Sequence, residues 1–518
     1  MAIVTQSNNE FPPDLLIGLD RSRPRSLHAQ LERGLRQAIT RGSLPPGTVL
    51  PPSRVLAGEL DVSRSLVVGV YEQLTIEGYL ETRQGSGTRV RAVRAQGRDT
   101  VQGQDTVQGQ DIVRADVGPY WPVRVGPDGK VARSGLPDPA LFPRSQWLRH
   151  YRDVLRELPG EGLLYPPPRG ASELRTALAA YLGRVRGVRA TSDQIVICGG
   201  FSQALALLCR VLRKRGVTRI AVEDPCFRFH RLLIVSAGLE PVPVPVDEKG
   251  MMTARLDGLK AGAVLLSPAH SYPTGAVLSP ARRLELLAWA RASGALVIED
   301  DYDAELRYDR VPIGALQGLD PEQVVYGGTA SKILSPALRL GWLVVPPDLT
   351  REIILAKCFE DYSAEALGQF TLARFIDSGG LARHLRRVRP IYRARRDHLL
   401  AALAEHLPWI RPEGEAAGLH LLLRLPDGID TRVVIEAAAT HGVALEDAAW
   451  HWGDMEAAPP ALLIGYGPLR ESDLVRGIQA LGASLSPASL LRVSGRGGNA
   501  ARPARAGCPN RSGRARAW

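Results

Sequence analysis

The sequence predicts a multidomain protein in which a small helix-turn-helix module with a β-hairpin precedes a larger α/β domain with a mostly parallel sheet. At 518 residues the chain is longer than a single hydrophobic core normally supports. Helical periodicity and a glycine-rich hairpin characterise residues 26–91. Short apolar runs alternate with helical patterns over residues 118–483, which is typical of a parallel α/β sheet.

The net charge is concentrated at one end of the chain. The formal charge is +11, and residues 484–518 contain seven arginines and no acid, so +7 of the excess lies in this segment. The rest of the chain is nearly balanced. DNA binding must therefore be inferred from local geometry and not from net charge.

Composition predicts a cytoplasmic protein without a metal site. No run of about 18 apolar residues is free of charge, and the N-terminus has no apolar signal core. The five cysteines are odd in number, which suits a reducing compartment, and neither they nor the ten histidines show metal-ligand spacing. Of the histidines, we expect only His270 to lie near a ligand pocket and the others to lie on the surface or in the core.

The first predicted helix follows residues 1–25, which carry no clear period and are interpreted as a flexible lead. Apolar residues then recur every four positions: Leu27, Leu31, Leu35 and Ile39. This spacing predicts an amphipathic helix that ends near Gly42.

Two further helices are predicted around a tight turn. Prolines end the first helix, and Ser53 is placed to cap a short second helix. Ser63, in the next turn, is placed to cap a third helix from Arg64 to about Glu77. Two helices joined in this way form a helix-turn-helix, whose second helix would direct Arg64 and Ser65 into the major groove.

A β-hairpin is predicted after this helix. Residues 79–82 and 88–91 are strand-like and flank the glycine-rich stretch 83–87, which would form a wing.

Residues 26–91 resemble the winged-helix DNA-binding domain of the GntR family, whose loop motif matches residues 50–54, Leu-Pro-Pro-Ser-Arg. The resemblance implies a double-stranded DNA operator as partner. It also implies DNA contacts at Arg54, Arg64, Ser65, Gln84 and Gly85. Val68 stands where relatives can place a further basic residue, so base readout is expected to differ. The alternative is a three-helix packing module that binds no DNA.

Residues 92–117 are predicted to be a linker, because the hexamer at 99–104 is repeated at 105–110 and a third copy begins at 111. Such a polar repeat cannot bury enough apolar surface to fold alone. The α/β domain then spans 118–483, and residues 484–518 are expected to be a disordered arginine-rich tail. This tail either adds weak, salt-sensitive DNA affinity or has no role.

Buried strands are predicted in the α/β domain at residues 194–198, 218–222, 263–266, 295–298, 324–326 and 340–345. Residues 202–213 and 280–292 form helices between them. Further strands at 419–425 and 461–466 indicate a smaller subdomain.

Lys332 is the first candidate for chemistry. The chain has only six lysines, and this one lies among Gly, Thr, Ala and Ser. Small neighbours admit a bulky ligand, and a partly desolvated amine has a lowered pKa and can form a Schiff base with an aldehyde. Thr329 offers a hydroxyl nearby, and Arg339 offers a planar fork that suits a phosphate.

Three acids, Glu299, Asp300 and Asp301, end a predicted strand about thirty residues before the lysine. Ligand sites of open α/β sheets lie at such strand ends. A carboxylate there can hold a pyridine nitrogen protonated. The ordered set of acids, lysine and arginine resembles a fold-type-I aminotransferase, which implies pyridoxal 5'-phosphate as cofactor. The alternative is an ordinary acidic loop and an ordinary lysine.

The resemblance implies a role for each pocket residue. Lys332 would form the Schiff base, Asp300 would pair with the pyridine nitrogen and Tyr302 with the phenolic oxygen. Phe227 would stack on the ring, with core packing as its alternative. The phosphate would be held by Phe201, Ser202, Thr329 and Arg339, of which the first two open a helix. Tyr165 matches a tyrosine that reaches the phosphate from the partner subunit, so a homodimer is implied.

Tyr272 narrows the resemblance. Residues 272–275, Tyr-Pro-Thr-Gly, correspond to an aminotransferase Asn-Pro-Thr-Gly loop with tyrosine in place of asparagine. This variant is similar to the MocR group of GntR regulators, in which a winged helix is joined to an aminotransferase-like domain. Residues 135–143 and 384–397 also resemble the MocR group. The resemblance covers residues from about 26 to 483.

One expected residue is absent from the pattern. Aminotransferases place an arginine for the substrate carboxylate in the strand that matches residues 461–467, and here that run is apolar. Little or no transamination is therefore expected, unless another arginine such as Arg424 enters the pocket.

The predicted function is a DNA-binding transcription regulator that senses pyridoxal phosphate, or its adduct with an amine or amino acid. The alternatives are a working aminotransferase with an attached DNA-binding domain, and an architectural DNA-bound dimer with an inactive pocket.

Overall fold

The computed structural model describes residue 19 and residues 27–40, 42–83, 87–91, 135–308, 313–414 and 416–485. The chain divides into two compact units, residues 1–118 and 119–518. The predicted lead apart from Leu19, the wing-tip residues Gln84 and Gly85, the linker 92–117 and the tail from residue 486 lie outside the described residues.

The smaller unit is a three-helix module with a hairpin. Its elements are α1 (Leu27–Thr40), α2 (Ser53–Glu59), α3 (Arg64–Ile76), β1 (Leu80–Arg83) and β2 (Gly87–Val90). The strands pair antiparallel, with Leu80 opposite Val90. Leu31, Leu35 and Leu74 are fully buried in the core between the helices, as expected from an amphipathic pattern.

The two predicted helix caps have different outcomes. Ser63 precedes α3 and its Oγ accepts the Leu66 N–H at 3.3 Å, so this prediction is confirmed. The prediction for Ser53 is wrong. Ser53 is already the first residue of α2, Pro52 occupies the cap, and no side chain caps the helix. A side chain one residue inside the helix does not have the cap's extended backbone, from which an oxygen turns back to the N–H groups.

An eight-stranded sheet forms the centre of the larger unit. Its strands, in spatial order, are β3 (Ile195–Cys198), β10 (Gly341–Val344), β9 (Val324–Thr329), β8 (Leu296–Asp301), β7 (Ala263–Leu266), β4 (Arg219–Asp224), β5 (Glu240–Asp247) and β6 (Gly250–Met251). Only the β3–β10, β10–β9 and β5–β6 pairs are antiparallel; the other four are parallel. The mostly parallel sheet brings several strand ends to one edge.

β5 was not predicted. Its sequence, Glu-Pro-Val-Pro-Val-Pro-Val-Asp, carries a proline at every second position, which argues against a strand when read locally. The strand is tolerated because its neighbour β6 is only two residues long, so most of β5 has a single hydrogen-bonded side.

Helices cover the sheet and connect it to a smaller subdomain. They are α4 (Arg144–Glu157), α5 (Ser172–Arg186), α6 (Phe201–Lys214), α7 (Arg228–Ser236), α8 (Pro280–Ser293), α9 (Pro347–Asp361), α10 (Leu367–Asp377), α11 (Gly380–His406), α12 (Thr431–Thr440) and α13 (Glu471–Ser484). The smaller sheet contains β11 (Arg411–Glu413), β12 (His420–Arg424), β14 (Ala461–Gly465) and β13 (Glu446–Asp447) in that spatial order. Within the described ranges, no helix has the length and apolar character needed to cross a membrane.

Candidate functional site

The candidate pocket lies at the edge of the large sheet where β3, β4, β7 and β8 end. β3 leads into Gly199 and Gly200, which precede α6, and β8 ends in the three predicted acids. Lys332 follows β9, which runs parallel to β8 and ends at the same edge. The chain segments singled out from sequence therefore meet at one sheet edge, as the strand order requires.

The three acids at the end of β8 have different partners. Glu299 accepts two backbone N–H groups, at 2.9 and 3.0 Å. Asp301 forms a buried two-point ion pair with Arg186, with N–O distances of 2.7 and 3.0 Å. Asp300 is 5% exposed, and its Oδ1 has no hydrogen-bond partner among the described residues. Of the three acids, Asp300 is thus the one with an oxygen left to bind a ligand.

The electrostatics of Asp300 favour a positively charged or proton-donating partner. Burial raises the pKa of the Asp300 carboxyl well above its ordinary value, and the nearby Asp301, Asp303 and Glu223 raise it further. Lys332 opposes this shift. A buried acceptor without a donor costs on the order of 1–3 kcal/mol, which a protonated ring nitrogen would recover.

The N-terminus of α6 and the Arg339 side chain form a candidate phosphate-binding cradle. Gly200 has a φ of +98°, and a Cβ at this position would lie 3.0 Å from Nη2 of Arg339. The Arg339 guanidinium donates to the carbonyl of Gly199, and the Gly199 N–H donates to Gln203 at 2.6 Å. Free N–H groups at a helix start and a guanidinium suit a phosphate.

The other predicted phosphate residues lie beside the cradle. Thr329 is buried at the end of β9, and its Oγ1 is 2.9 Å from Oγ of Ser331. Phe201 and Ser202 open α6, with Phe201 packed against Gly327 so closely that no side chain would fit there. Ser202 is half-buried.

Lys332 is half-buried, and its Nζ would lie 3.7 Å from a Cβ placed on Gly135. Gly135 has a φ of +77°, a backbone conformation that favours glycine. The backbone at Gly135 therefore passes close to the Lys332 amine. The amine is therefore partly covered.

Tyr302, His270 and Asp303 form a compact polar cluster. Nδ1 of His270 is 2.9 Å from Oδ2 of Asp303 and 3.0 Å from the Tyr302 hydroxyl. Burial raises the pKa of the Tyr302 phenol well above its ordinary value, and Asp303 adds to this effect. Tyr302 therefore remains a neutral phenol held by the histidine.

The expectation that His270 is the only histidine near the pocket is wrong. Rings of three more histidines contact the predicted aromatic residues. The ring centroid of His230 lies 5.1 Å from that of Phe227. The ring centroids of His420 and His451 lie 4.8 and 5.0 Å from that of Tyr272. These histidines come from α7, β12 and the loop after β13, so no sequence spacing connects them.

Phe227 is surrounded by aromatic rings. It is half-buried and packs edge-on against Tyr272 at 5.5 Å and nearly parallel to His451 at 6.2 Å. The structure thus brings together nine of the predicted pocket residues: Phe201, Ser202, Phe227, Tyr272, Asp300, Tyr302, Thr329, Lys332 and Arg339.

Tyr165 has a different environment. Its side chain is 81% exposed, and its ring contacts only Tyr362, at 5.0 Å, among the ring pairs of the described residues.

A cavity of about 850 Å³ lies beside the cradle, and its lining includes Gly199, Gln203 and Arg339.

The arginine expected for a substrate carboxylate is not supplied by the small sheet. All five residues of β14 are buried, and they are Ala, Leu, Leu, Ile and Gly. Arg424 is paired with Glu413 at 2.9 Å, and its guanidinium lies over the ring of Trp452. Its Nη1 is buried and has no hydrogen-bond partner among the described residues.

In the smaller unit, three predicted DNA contacts are exposed. Arg54 lies in α2, and Arg64 and Ser65 begin α3. Val68 is half-buried on the same helix. Exposed polar residues in the first turn of the second helix are what a helix-turn-helix presents to DNA.

Two family models match the chain. Residues 27–90 match bacterial regulatory proteins of the gntR family, and residues 143–444 match aminotransferase class I and II.

Full-length relatives and solved structures agree with these matches. The chain is 34% identical over 477 residues to the HTH-type transcriptional regulator YhdI of Bacillus subtilis, which covers 92% of this chain and 99% of the relative. It is 31% identical over 468 residues to the pyridoxine biosynthesis transcriptional regulator PdxR of Corynebacterium glutamicum. This match covers 89% of this chain and 96% of the relative. The kynurenine aminotransferase of Pyrococcus horikoshii, solved in complex with PMP, superposes with a TM-score of 0.63 at 28% identity, covering 68% of this chain and 89% of the enzyme. The fold class predicted from sequence is confirmed.

Proposed function

This chain belongs to the family of GntR-type regulators that carry an aminotransferase class I and II domain, and we propose that it is a transcription regulator controlled by pyridoxal phosphate or by a pyridoxal phosphate–amine adduct. The observation that carries the proposal is the unpartnered Oδ1 of buried Asp300 beside Lys332, in a chain that also holds a winged helix.

The residues of the pocket suit pyridoxal phosphate. This cofactor is the one used by the aminotransferase class I and II family, and it supplies an aldehyde and an electron-withdrawing ring when bound. Arg339 and the start of α6 would hold its phosphate, Phe227 would stack on its ring and Asp300 would hold the ring proton. Lys332 Nζ would supply the amine for covalent attachment.

A sensing role is favoured over catalytic turnover. Arg424 is already paired with Glu413, and β14 carries no charged side chain. Binding of an amino-acid carboxylate would therefore lack the bidentate partner that holds it for repeated reaction. The competing function, an aminotransferase with an attached DNA-binding domain, predicts steady conversion of amino donors to keto acids.

We place the DNA contacts at Arg54, Arg64 and Ser65 and, beyond the described residues, at Gln84 and Gly85. We also propose a cytoplasmic homodimer. Exposed Leu163, Leu164 and Tyr165 would be covered by the partner, with Tyr165 reaching the partner's phosphate. The proposed boundaries are 26–91 for the DNA-binding domain, 92–117 for the linker, 118–483 for the cofactor domain and 484–518 for the tail.

The test combines cofactor attachment and DNA binding. Purified protein is incubated with pyridoxal phosphate, reduced with borohydride and digested for mass spectrometry, and its operator is selected from a random duplex pool. We expect the cofactor mass on Lys332 and a cofactor-dependent change in operator affinity. Lys332→Ala should lose both, while Lys249→Ala, at an exposed lysine, should keep both. Attachment without any effect on DNA affinity, together with rapid transamination, would favour the enzyme.

A further inference from the structure

His420 is one of the three histidines near the pocket that the sequence did not place there. It is 3% exposed at the start of β12, and its ring packs against Tyr272 at 4.8 Å and His270 at 5.5 Å. Lys332 is close enough to influence its protonation. The ring therefore belongs to the wall of the pocket that the small sheet contributes.

The tautomer of His420 follows from its surroundings. Nε2 lies 3.3 Å from the carbonyl oxygen of Pro273, and a carbonyl only accepts hydrogen bonds. The proton of the neutral ring is therefore on Nε2, which leaves a lone pair on Nδ1. Burial, with His270 and Lys332 adding to it, holds the pKa of His420 well below its ordinary value, so the ring stays neutral.

Nδ1 of His420 is enclosed and, among the described residues, has no hydrogen-bond partner. An enclosed acceptor without a donor is unfavourable, and a ligand that supplies a donor removes the cost. A carboxylate does not supply one, since its oxygens would face the nitrogen lone pair.

The neighbouring arginines are each held by acceptors of the protein. Arg424 is paired with Glu413, and Arg231 donates to the Trp452 carbonyl at 2.6 Å. His451 is oriented by the Arg228 N–H, which its Nδ1 accepts at 3.3 Å, and its Nε2 lies 3.7 Å from Oε1 of Glu446. Each of these side chains therefore has a protein partner, while Nη1 of Arg424 and Nε2 of His451 have no hydrogen-bond partner among the described residues.

We propose that His420 is a ligand-binding residue whose Nδ1 accepts a hydrogen bond from the effector, so that the pocket selects an amine bearing a second donor, such as a hydroxyl, over the matching α-amino acid. This inference rests on the proposed sensing function and names the chemical class of its effector. Tyr272 packs against the same ring and keeps its face from water.

The test uses three compounds that share one primary amine and one carbon skeleton: 2-aminopropan-1-ol, alanine and propan-2-amine. Each is titrated by calorimetry into the cofactor-loaded protein and into the cofactor-free protein. We expect the amino alcohol to bind about tenfold more tightly than alanine and propan-2-amine. Cofactor uptake is measured separately by absorbance, so a failure of the sensing proposal shows as no uptake and is distinct from a wrong ranking.

His420→Phe keeps a ring and removes the acceptor. It should lower the affinity for the amino alcohol to that for propan-2-amine and leave the affinity for alanine unchanged. His398→Phe, at a half-exposed histidine of α11, is the control and should retain the wild-type ranking. Alanine binding as tightly as the amino alcohol to the wild type would overturn the proposal even if His420→Phe does not fold. An equal loss for all three compounds in a folded His420→Phe protein would reduce His420 to a packing residue and would also overturn it.

Discussion

Buried carboxyl groups are the residues whose protonation most depends on the fold. Burial raises the pKa of Glu223 from 4.5 to about 7, while the backbone N–H of Ser267, 3.0 Å away, opposes the shift. Burial is also the main cause that raises the pKa values of Glu299 and Glu305 to about 7. These acids lie near the same sheet edge as Asp300. Burying several carboxyl groups together there disfavours their ionised forms.

The first prediction concerns stability at Glu223. Between pH 4.5 and about 7 the folded protein holds a proton there that the unfolded chain releases, so the free energy of unfolding falls as the pH rises through this window. The full shift corresponds to on the order of 3 kcal/mol. Glu223→Gln binds no proton and should remove this part of the pH dependence. Urea unfolding at pH 5 and pH 8 measures it.

Glu240→Gln, at an exposed carboxyl on β5, is the matched control and should keep the wild-type pH dependence. If Glu223→Gln and the wild type lose the same stability between the two pH values, Glu223 is already ionised in the fold and the prediction is wrong.

Arg64 is the residue that we propose reads a base of the DNA. It is exposed in the first turn of α3, beside the Ser63 cap. Arg64→Ala should cost about 1–3 kcal/mol of binding to the selected operator and little on random duplex, because a guanine contact is lost only at the specific site. Arg33→Ala, at an exposed arginine on α1, should change neither affinity. Equal losses on specific and random DNA would identify Arg64 as a phosphate contact.

The helix α6 carries the cradle at its first turn and a second glycine of the same kind just beyond its end. Gly200 precedes the helix with φ +98°, and Gly216 follows it with φ +87°. A Cβ on Gly200 would meet the Arg339 guanidinium, whereas a Cβ on Gly216 would meet no atom within 4 Å. The two positions therefore separate backbone strain from obstruction of the cradle.

Alanine at either position should cost about 1–3 kcal/mol of stability, since both require a left-handed backbone. Only Gly200→Ala should also weaken the affinity for pyridoxal phosphate, by about tenfold or more, because it displaces Arg339. Thermal unfolding and a fluorescence titration of the cofactor, with inorganic phosphate as competitor, measure the two effects. Similar cofactor affinities for both variants would show that the cradle does not bind the phosphate.

At the scale of the whole molecule, regulation requires the ligand to bind two arrangements of the protein with different affinity. The hexamer repeat of residues 99–110 is expected from its polar composition to act as a tether, not as a lever. Deleting residues 105–110 should therefore leave the effect of pyridoxal phosphate on operator affinity nearly unchanged.

The measurement is operator affinity with and without cofactor for the deletion variant and for Lys332→Ala, which should lose the response. Removal of residues 486–518 is the comparison for a change in chain length and charge, and it should weaken binding to all DNA alike. A response lost on hexamer deletion, with cofactor attachment and basal DNA affinity retained, would make the linker the element that transmits the signal.

The sequence alone determined the features that depend on local patterns. The sequence predicted the helix periods of the small unit, the Ser63 cap and the central strands. It also showed the order of acid, lysine and arginine along the chain. Each depends on residues within one or two turns of one another, or on the strong preference of buried runs for strands.

The tertiary structure decided what depends on distant partners. Asp301 is paired with Arg186, more than a hundred residues earlier, whereas Oδ1 of Asp300 has no hydrogen-bond partner among the described residues. β5 is a strand in spite of its prolines because it lies near the edge of the sheet. His230, His420 and His451 meet around Phe227 and Tyr272 only when separate elements pack together. Burial and charge pairing arise from three-dimensional proximity, which spacing along one chain does not encode.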